Sequence, residues 1–262
     1  MSRINIYNLL EQKAINPSDE YARIHYLLSN TYFDQPMLVT LYTHIREDVF
    51  DRLPIKRTCV HLNDLLNELG IDLKRKNATM DDLFDLIEFI LCVIDSEPYA
   101  WCKDRYAPII NNINIVLDKT SHKIVQYKKG KIIVPKDSTI EEAAVLAKNK
   151  NLSLEILAYN HRSNNGNLQN KADILNLIAK QYEDDIAKDK SQLGDDIRFL
   201  LNNFNIRHNN EDSEKNNTEF MNRVDKNLEL WYDRLYCLFI SFIITSQQKE
   251  ISSEIKKLKK GK

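Results

Sequence analysis

A mainly α-helical fold, with one short β-hairpin set between two helical parts, is what this sequence of 262 residues predicts. Three observations carry it. Five glycines and six prolines fall well below the usual shares of roughly 7% and 5%, which disfavours turn-rich all-β architectures. Apolar residues recur three and four positions apart through most of the sequence, the period of an amphipathic helix. Only the stretch from Ile113 to Pro135 turns to β-branched runs.

Residues 1–112 read as an N-terminal helical domain. In DDLFDLIEFILCVID, residues Leu83, Leu86, Ile87, Ile90 and Leu91 form one broad apolar face. Thr79 precedes Asp81 and Asp82 there as an N-cap with acids in the first turn. A helix through MLVTLYTHIREDVFDRL stops before Pro54, and another in VHLNDLLNEL stops before Gly70. Residues 113–137 read as a hairpin connector, IVQY facing KIIV across a Lys-Lys-Gly turn.

From residue 138 the helical period returns, and residues 138–248 read as a four-helix bundle. Ser138 and Glu141 have capping-box spacing. Leu175, Ile178, Tyr182 and Ile186 share one face, and Ile197, Leu200, Leu201 and Phe204 share another. A last long helix sets Phe220, Val224, Leu228, Trp231, Leu235, Leu238 and Phe242 three or four apart. Residues 249–262 read as a basic, solvated tail.

Composition narrows the function. Thirty-seven basic against thirty-eight acidic side chains leave a net charge of −1, so any nucleic-acid contact must be local. The four cysteines, Cys59, Cys92, Cys102 and Cys237, form no CxxC pair and read as buried free thiols of a reducing, cytoplasmic compartment, with no zinc site expected. No apolar run reaches the ~18 residues of a membrane span, and no membrane partner is expected. Neither a P-loop, a dinucleotide-binding glycine fingerprint nor HExxH occurs, so neither a cofactor nor a metal is expected.

Two Arg-His pairs stand out in polar interruptions of the C-terminal half: His161 with Arg162, and Arg207 with His208, the latter followed by Asn209 and Asn210. A helix continuing past Phe204 would carry Arg207 and His208 on the side of its buried face. A helix end with His near the last carbonyls is also ordinary capping. Tyr99, Trp101 and Tyr106, with Lys103 and Arg105, can stack on bases or close a small core.

Residues 138–248 resemble a HEPN domain, a four-helix bundle found in prokaryotic toxins and in abortive-infection proteins of phage defence. The resemblance rests on the acidic run YEDD at a helix end, the helix IRFLLNNF, the motif I-R-H-N-N, the polar loop and the aromatic-rich last helix. It implies metal-independent RNA cleavage, in which the ribose 2′-hydroxyl attacks the adjacent phosphate in a site shared by a homodimer formed through the C-terminal bundle. On this resemblance Arg207 holds the phosphate and His208 exchanges protons as candidate catalytic residues. Asn209, Asn210, Arg162 and His161 are the candidate substrate-binding residues. HEPN domains place a His four to six residues after the Arg, where this sequence has Glu211, Asp212 and Ser213. That departure motivates the alternative, a non-catalytic helical interaction or dimerisation module.

Overall fold

The structure is a computed structural model that describes residues 14–30, 32–33, 39–204, 206, 223–224 and 227–260. These are mainly helical and divide into two compact units, Met1–Pro135 and Lys136–Lys262. No helix among the described residues is long and apolar enough to cross a membrane.

The first unit is built from α1 (Pro17–Asn30), a short ladder of β1 (Tyr32–Phe33) and β2 (Val39–Thr40), α2 (Leu41–His44), α3 (Leu62–Glu68), α4 (Met80–Ser96) and α5 (Ala107–Lys119). Helix α4 is central. Its start is fixed by a capping box in which the Asp82 N–H donates to Thr79 Oγ1 at 3.2 Å and the Thr79 N–H donates to Asp82 Oδ2 at 2.8 Å. Leu83, Leu86, Ile87 and Ile90 are buried as the spacing predicts, but so are Phe84, Phe89 and Val93. A helix buried on more than one face needs cover from two sides, and the second cover is the hairpin.

That hairpin pairs β3 (His122–Tyr127) with β4 (Gly130–Pro135), Ile124 opposite Ile133 and Tyr127 opposite Gly130. It starts later than the sequence reading put it. Residues 113–119 continue α5, where Ile113 and Val116 are buried at helical spacing, so this β-branched run serves a helix core because tertiary burial overrides propensity. The hairpin also belongs to the first unit, since Ile133 lies in its core and the Ile133 N–H donates to Glu88 of α4 at 2.6 Å. A two-stranded ribbon is marginal alone; this packing stabilises it.

Helix α3 ends in a Schellman turn. Gly70 takes a φ of +69°, and the Ile71 and Gly70 N–H groups donate to the carbonyls of Leu66 and Asn67. Of the segment expected as one helix through residues 37–53, the part described, from Val39, is instead β2, α2, a π turn at Ile45–Val49 and a 3-10 turn at Phe50–Arg52.

The second unit holds α6 (Ser138–Val145), α7 (Lys150–Ala158), α8 (Leu168–Gln181), α9 (Glu183–Lys188), α10 (Gln192–Asn203) and α11 (Leu228–Lys260). Its core gathers Leu152 and Ile156 of α7, Leu175 and Ile178 of α8, Ile197 and Leu201 of α10, and Leu235, Phe239 and Phe242 of α11. Three local expectations change. The N-cap of α6 is Asp137, whose carboxylate accepts from Thr139 and Ile140; the Glu141 N–H, which a Ser138 capping box would take, donates to the Asp137 carbonyl instead. The basic tail is helical, α11 running unbroken to Lys260. Of the four cysteines Cys237 is exposed and Cys92 partly so, while Cys59 and Cys102 are buried. Burial, then the charge of Glu97, pushes the Cys102 thiol up to about 12, so it is a neutral side chain at pH 7.

Candidate functional site

Arg207, His208, Asn209 and Asn210 lie outside the described residues. His161 and Arg162 are described, and the turn that carries them is tightly organised. Asn164 is buried, and its Nδ2 donates to the last carbonyls of α7, those of Ala158 at 2.8 Å and Tyr159 at 3.1 Å. Asn167 caps α8 by accepting the Asn170 N–H at 3.1 Å. Between them Gly166 takes a φ of +73°, a conformation glycine adopts without strain. An asparagine-rich string that reads as polar linker is thus a pair of helix caps joined by a turn.

Within the turn, Arg162 Nη1 lies 3.1 Å from His161 Nε2, and Ser163 Oγ lies 2.7 Å from Nδ1. A guanidinium only donates, so Nε2 accepts from Arg162, while Nδ1 is within reach of both the Ser163 hydroxyl and, at 3.3 Å, the Ser163 N–H. His161 is buried and works here as the support that orients the Arg162 side chain.

The turn is tied to the start of α11 by charge. Lys171 of α8, 5% exposed, places its ammonium 2.7 Å from Asp233 and 2.9 Å from Glu229. The Tyr159 hydroxyl donates to the same Asp233 oxygen at 3.0 Å, and the Gly166 N–H donates to Glu229 at 2.8 Å. The Tyr159 ring stacks on Tyr236 at 4.0 Å between centroids, and the Tyr236 hydroxyl donates to the Ile156 carbonyl at 2.7 Å. Burial, then the Asp233 charge, raises the Tyr159 phenol, which stays a donor. The Gly166 N–H, then the Lys171 ammonium, hold the Glu229 carboxyl below its ordinary range.

None of Tyr159, Lys171, Glu229 and Asp233 was singled out from the sequence, though one signal was present. Lys171 stands three residues before Ile174 and four before Leu175, on the apolar face of α8. A lysine at such a position needs carboxylate partners.

On the other side of the same turn of α11, Tyr232 meets Phe204 edge-on, with centroids 5.6 Å apart. Phe204 forms the C-cap of α10, and Ile206 and Val224 are each 4% exposed in the same core. The chain therefore enters and leaves residues 207–222 from fixed core positions. The consecutive residues Tyr232 and Asp233 thus link two places: the buried residues that lead into Arg207, and the turn that presents Arg162. Alongside runs a groove of about 610 Å³ between α10 and α11, where Phe199, Leu200, Leu230 and Trp231 form the wall and the Arg234 guanidinium lies 4.5 Å over the Trp231 ring.

The other aromatic group separates. Tyr106 is fully buried, whereas Tyr99 is 45% exposed. Among the described residues the side chains of metal-ligating type that gather are His44, Glu97 and Cys102, in the first unit. No family model, curated protein or solved structure matches the chain.

Proposed function

We propose that the C-terminal unit is an RNA-binding or RNA-cleaving effector of the HEPN kind, acting in phage defence, with Arg207 and His208 as its reactive pair and Arg162 as a second phosphate contact. The observation that supports this reading is the anchorage of Ile206 and Phe204 in the core beside Tyr232. The residue before Arg207 is fixed, and the next residue of α11, Asp233, holds the loop that carries His161 and Arg162. Arg162, carried on that turn, and the proposed Arg207 suit a phosphodiester, because guanidinium donors pair with phosphate oxygens and stabilise charge that builds on them. The Trp231–Arg234 pair in the neighbouring groove offers a stacking face for a base.

The test is expression of the wild type, Arg207→Ala and Arg162→Ala in cells, followed by growth and RNA integrity. Loss of RNA cleavage and of growth arrest in Arg207→Ala, with weakened RNA binding in Arg162→Ala, is the expected outcome. Intact RNA and equal growth in all three would overturn the nuclease reading.

A second reading, a dimerisation module, has its own support in α11. Leu230, Cys237, Ile244, Ile251 and Leu258 recur every seven residues, with Arg234, Ser241, Gln248 and Ile255 between them at alternating four and three spacing. All but Ile244 in this seam are exposed, and residues 248–260 are exposed on every face. An uncovered helix of that length is marginal in water. The occupant we propose is the same seam of a second copy lying parallel. In that register Glu254 and Lys259 take the flanking positions whose opposite charges pair across a parallel coiled coil. A homodimer joined over residues 248–260, where every face is exposed, leaves the Trp231–Arg234 face open and serves either reading.

A further inference from the structure

The first unit contains a cluster that neither reading uses. Two segments distant in sequence bring His44 together with Glu97 and Cys102, with ligand atoms all within 4.8 Å of one another and all three residues buried. His44 closes α2, where the chain passes into the π turn Ile45–Val49, a local irregularity common at functional sites. Glu97 follows α4 as its C-cap, and Cys102 lies in the 3-10 turn Ala100–Tyr106. The Glu97 side chain is fully buried. Its Oε2 faces His44 Nε2 at 2.9 Å and accepts from the Tyr106 hydroxyl at 3.1 Å, and its Oε1 accepts the Tyr99 N–H at 3.2 Å.

The donor set is informative. Asp48, one helical turn after His44, faces Nδ1 at 2.9 Å. A carboxylate in that position can orient a metal-binding imidazole and leave Nε2 as the ligand. Nε2 faces the buried Glu97 carboxylate oxygen at 2.9 Å, and either a ring proton or a bound cation between the two satisfies both atoms. Thiolate, imidazole and carboxylate together select a borderline-soft divalent ion over calcium or magnesium. Around a tetrahedral zinc, with bonds of about 2.0–2.3 Å, ligand atoms stand roughly 3.3–3.6 Å apart, within the spread found here.

We propose that His44 Nε2, Glu97 and Cys102 Sγ form a structural site for a zinc-class cation that fastens the turn after α4 to the end of α2. Binding breaks the Cys102 S–H bond and forms an S–metal bond; the proton leaves to solvent, and no electrons are transferred. A water or the second Glu97 oxygen completes the coordination. The burial of every ligand leaves no room for a substrate, which makes the role structural. Cysteines paired at short spacing are the usual mark of zinc in a sequence; this set holds a single cysteine, with His44 more than fifty residues before the other two ligands.

Cobalt(II) titration of the full-length metal-stripped protein tests the site. The expected result is a thiolate-to-cobalt charge-transfer band saturating at one cobalt per chain, abolished by Cys102→Ser and retained in Cys237→Ser, which removes the exposed thiol. Zinc is expected to raise Tm over the stripped protein by roughly 5 °C or more. Absence of the band in the wild type, with the same Tm with and without zinc, would overturn the proposal whether or not the variants fold. So would a band lost in Cys237→Ser and kept in Cys102→Ser.

Discussion

Lys171 and Asp233, on different helices of the C-terminal unit, meet at 2.7 Å with the Tyr159 hydroxyl bonded to the same carboxylate oxygen. The ammonium also lies 5.4 Å from the centre of the Tyr159 ring. This joint holds the Arg162 turn against α11, and each of its groups has a partner. The carboxylates keep part of their water, with side-chain exposures of 39% for Glu229 and 43% for Asp233, while the lysine keeps 6%. A lysine desolvated to that degree costs free energy that its two carboxylates must offset.

Lys171→Met keeps an unbranched side chain and removes the charge. Because both carboxylates reach solvent, the loss is expected to stay near 1–2 kcal/mol, below the 3–5 kcal/mol typical of a pair broken in a dry interior. Urea midpoints measure it. A double-mutant cycle with Asp233→Asn is expected to show a coupling of about 1 kcal/mol, and additive effects would mean that the 2.7 Å contact adds no stability.

The same joint sets a pH window. Glu229, ordinarily at 4.5, is held lower in the fold by the Gly166 N–H and then by Lys171. A depressed carboxyl contributes its stability above its unfolded value and loses it as pH falls through the folded one. Burial works against the charge of Lys171, but hydrogen bonds from its ammonium to Asp233 and Glu229 outweigh it and raise the group above 10.5. That contribution is complete below 10.5 and is lost as pH rises through the folded value. Tm against pH is therefore expected to be flat through neutrality with an acid limb beginning near 4.5, and Glu229→Gln is expected to make that limb shallower.

Gly166→Ala isolates the backbone of the turn. A Cβ there meets no atom within 4 Å, so the cost arises from the φ of +73° alone and is expected to be about 1 kcal/mol. Unfolding midpoints measure that part. A matching loss of RNA binding at a temperature where the variant remains folded would tie the turn's conformation to the presentation of Arg162.

Helices with a clean apolar period and a cap were legible in the sequence. Thr79 marks the start of α4, Gly70 the end of α3, and the buried sides of α8 and α10 follow their spacing. What escaped depends on partners far along the chain. Residues 113–119 carry strand-like letters, yet they line a helix because the first unit's core takes them in. Lys171 reads as one more surface lysine until Asp233 and Glu229, about sixty positions later, are folded against it. His44 and Glu97 are ordinary helix-end residues until packing brings them within 2.9 Å. The candidate site was legible as residue types, through Arg162 and the core anchors Phe204 and Val224, but its supporting charges were not.

The seam on α11 separates folding from assembly. Ile251 and Ile255 are 46% and 45% exposed and lie in neither hydrophobic core. Replacing both by Asp is therefore expected to change the unfolding midpoint by about 0.5 kcal/mol or less, as for surface substitutions generally. In a parallel two-copy seam the same changes set acidic groups against their symmetry mates where apolar contacts are needed, and like charges facing each other at short range repel. Light scattering over a concentration series is expected to show a dimer for the wild type and a monomer for the double variant. Glu254→Lys alone is expected to weaken the dimer by placing Lys against Lys259 of the second copy, and restoring the pair with Lys259→Glu is expected to recover it. A wild type that stays monomeric at high concentration would refute the seam, and with it the shared-site form of the RNA-cleaving reading.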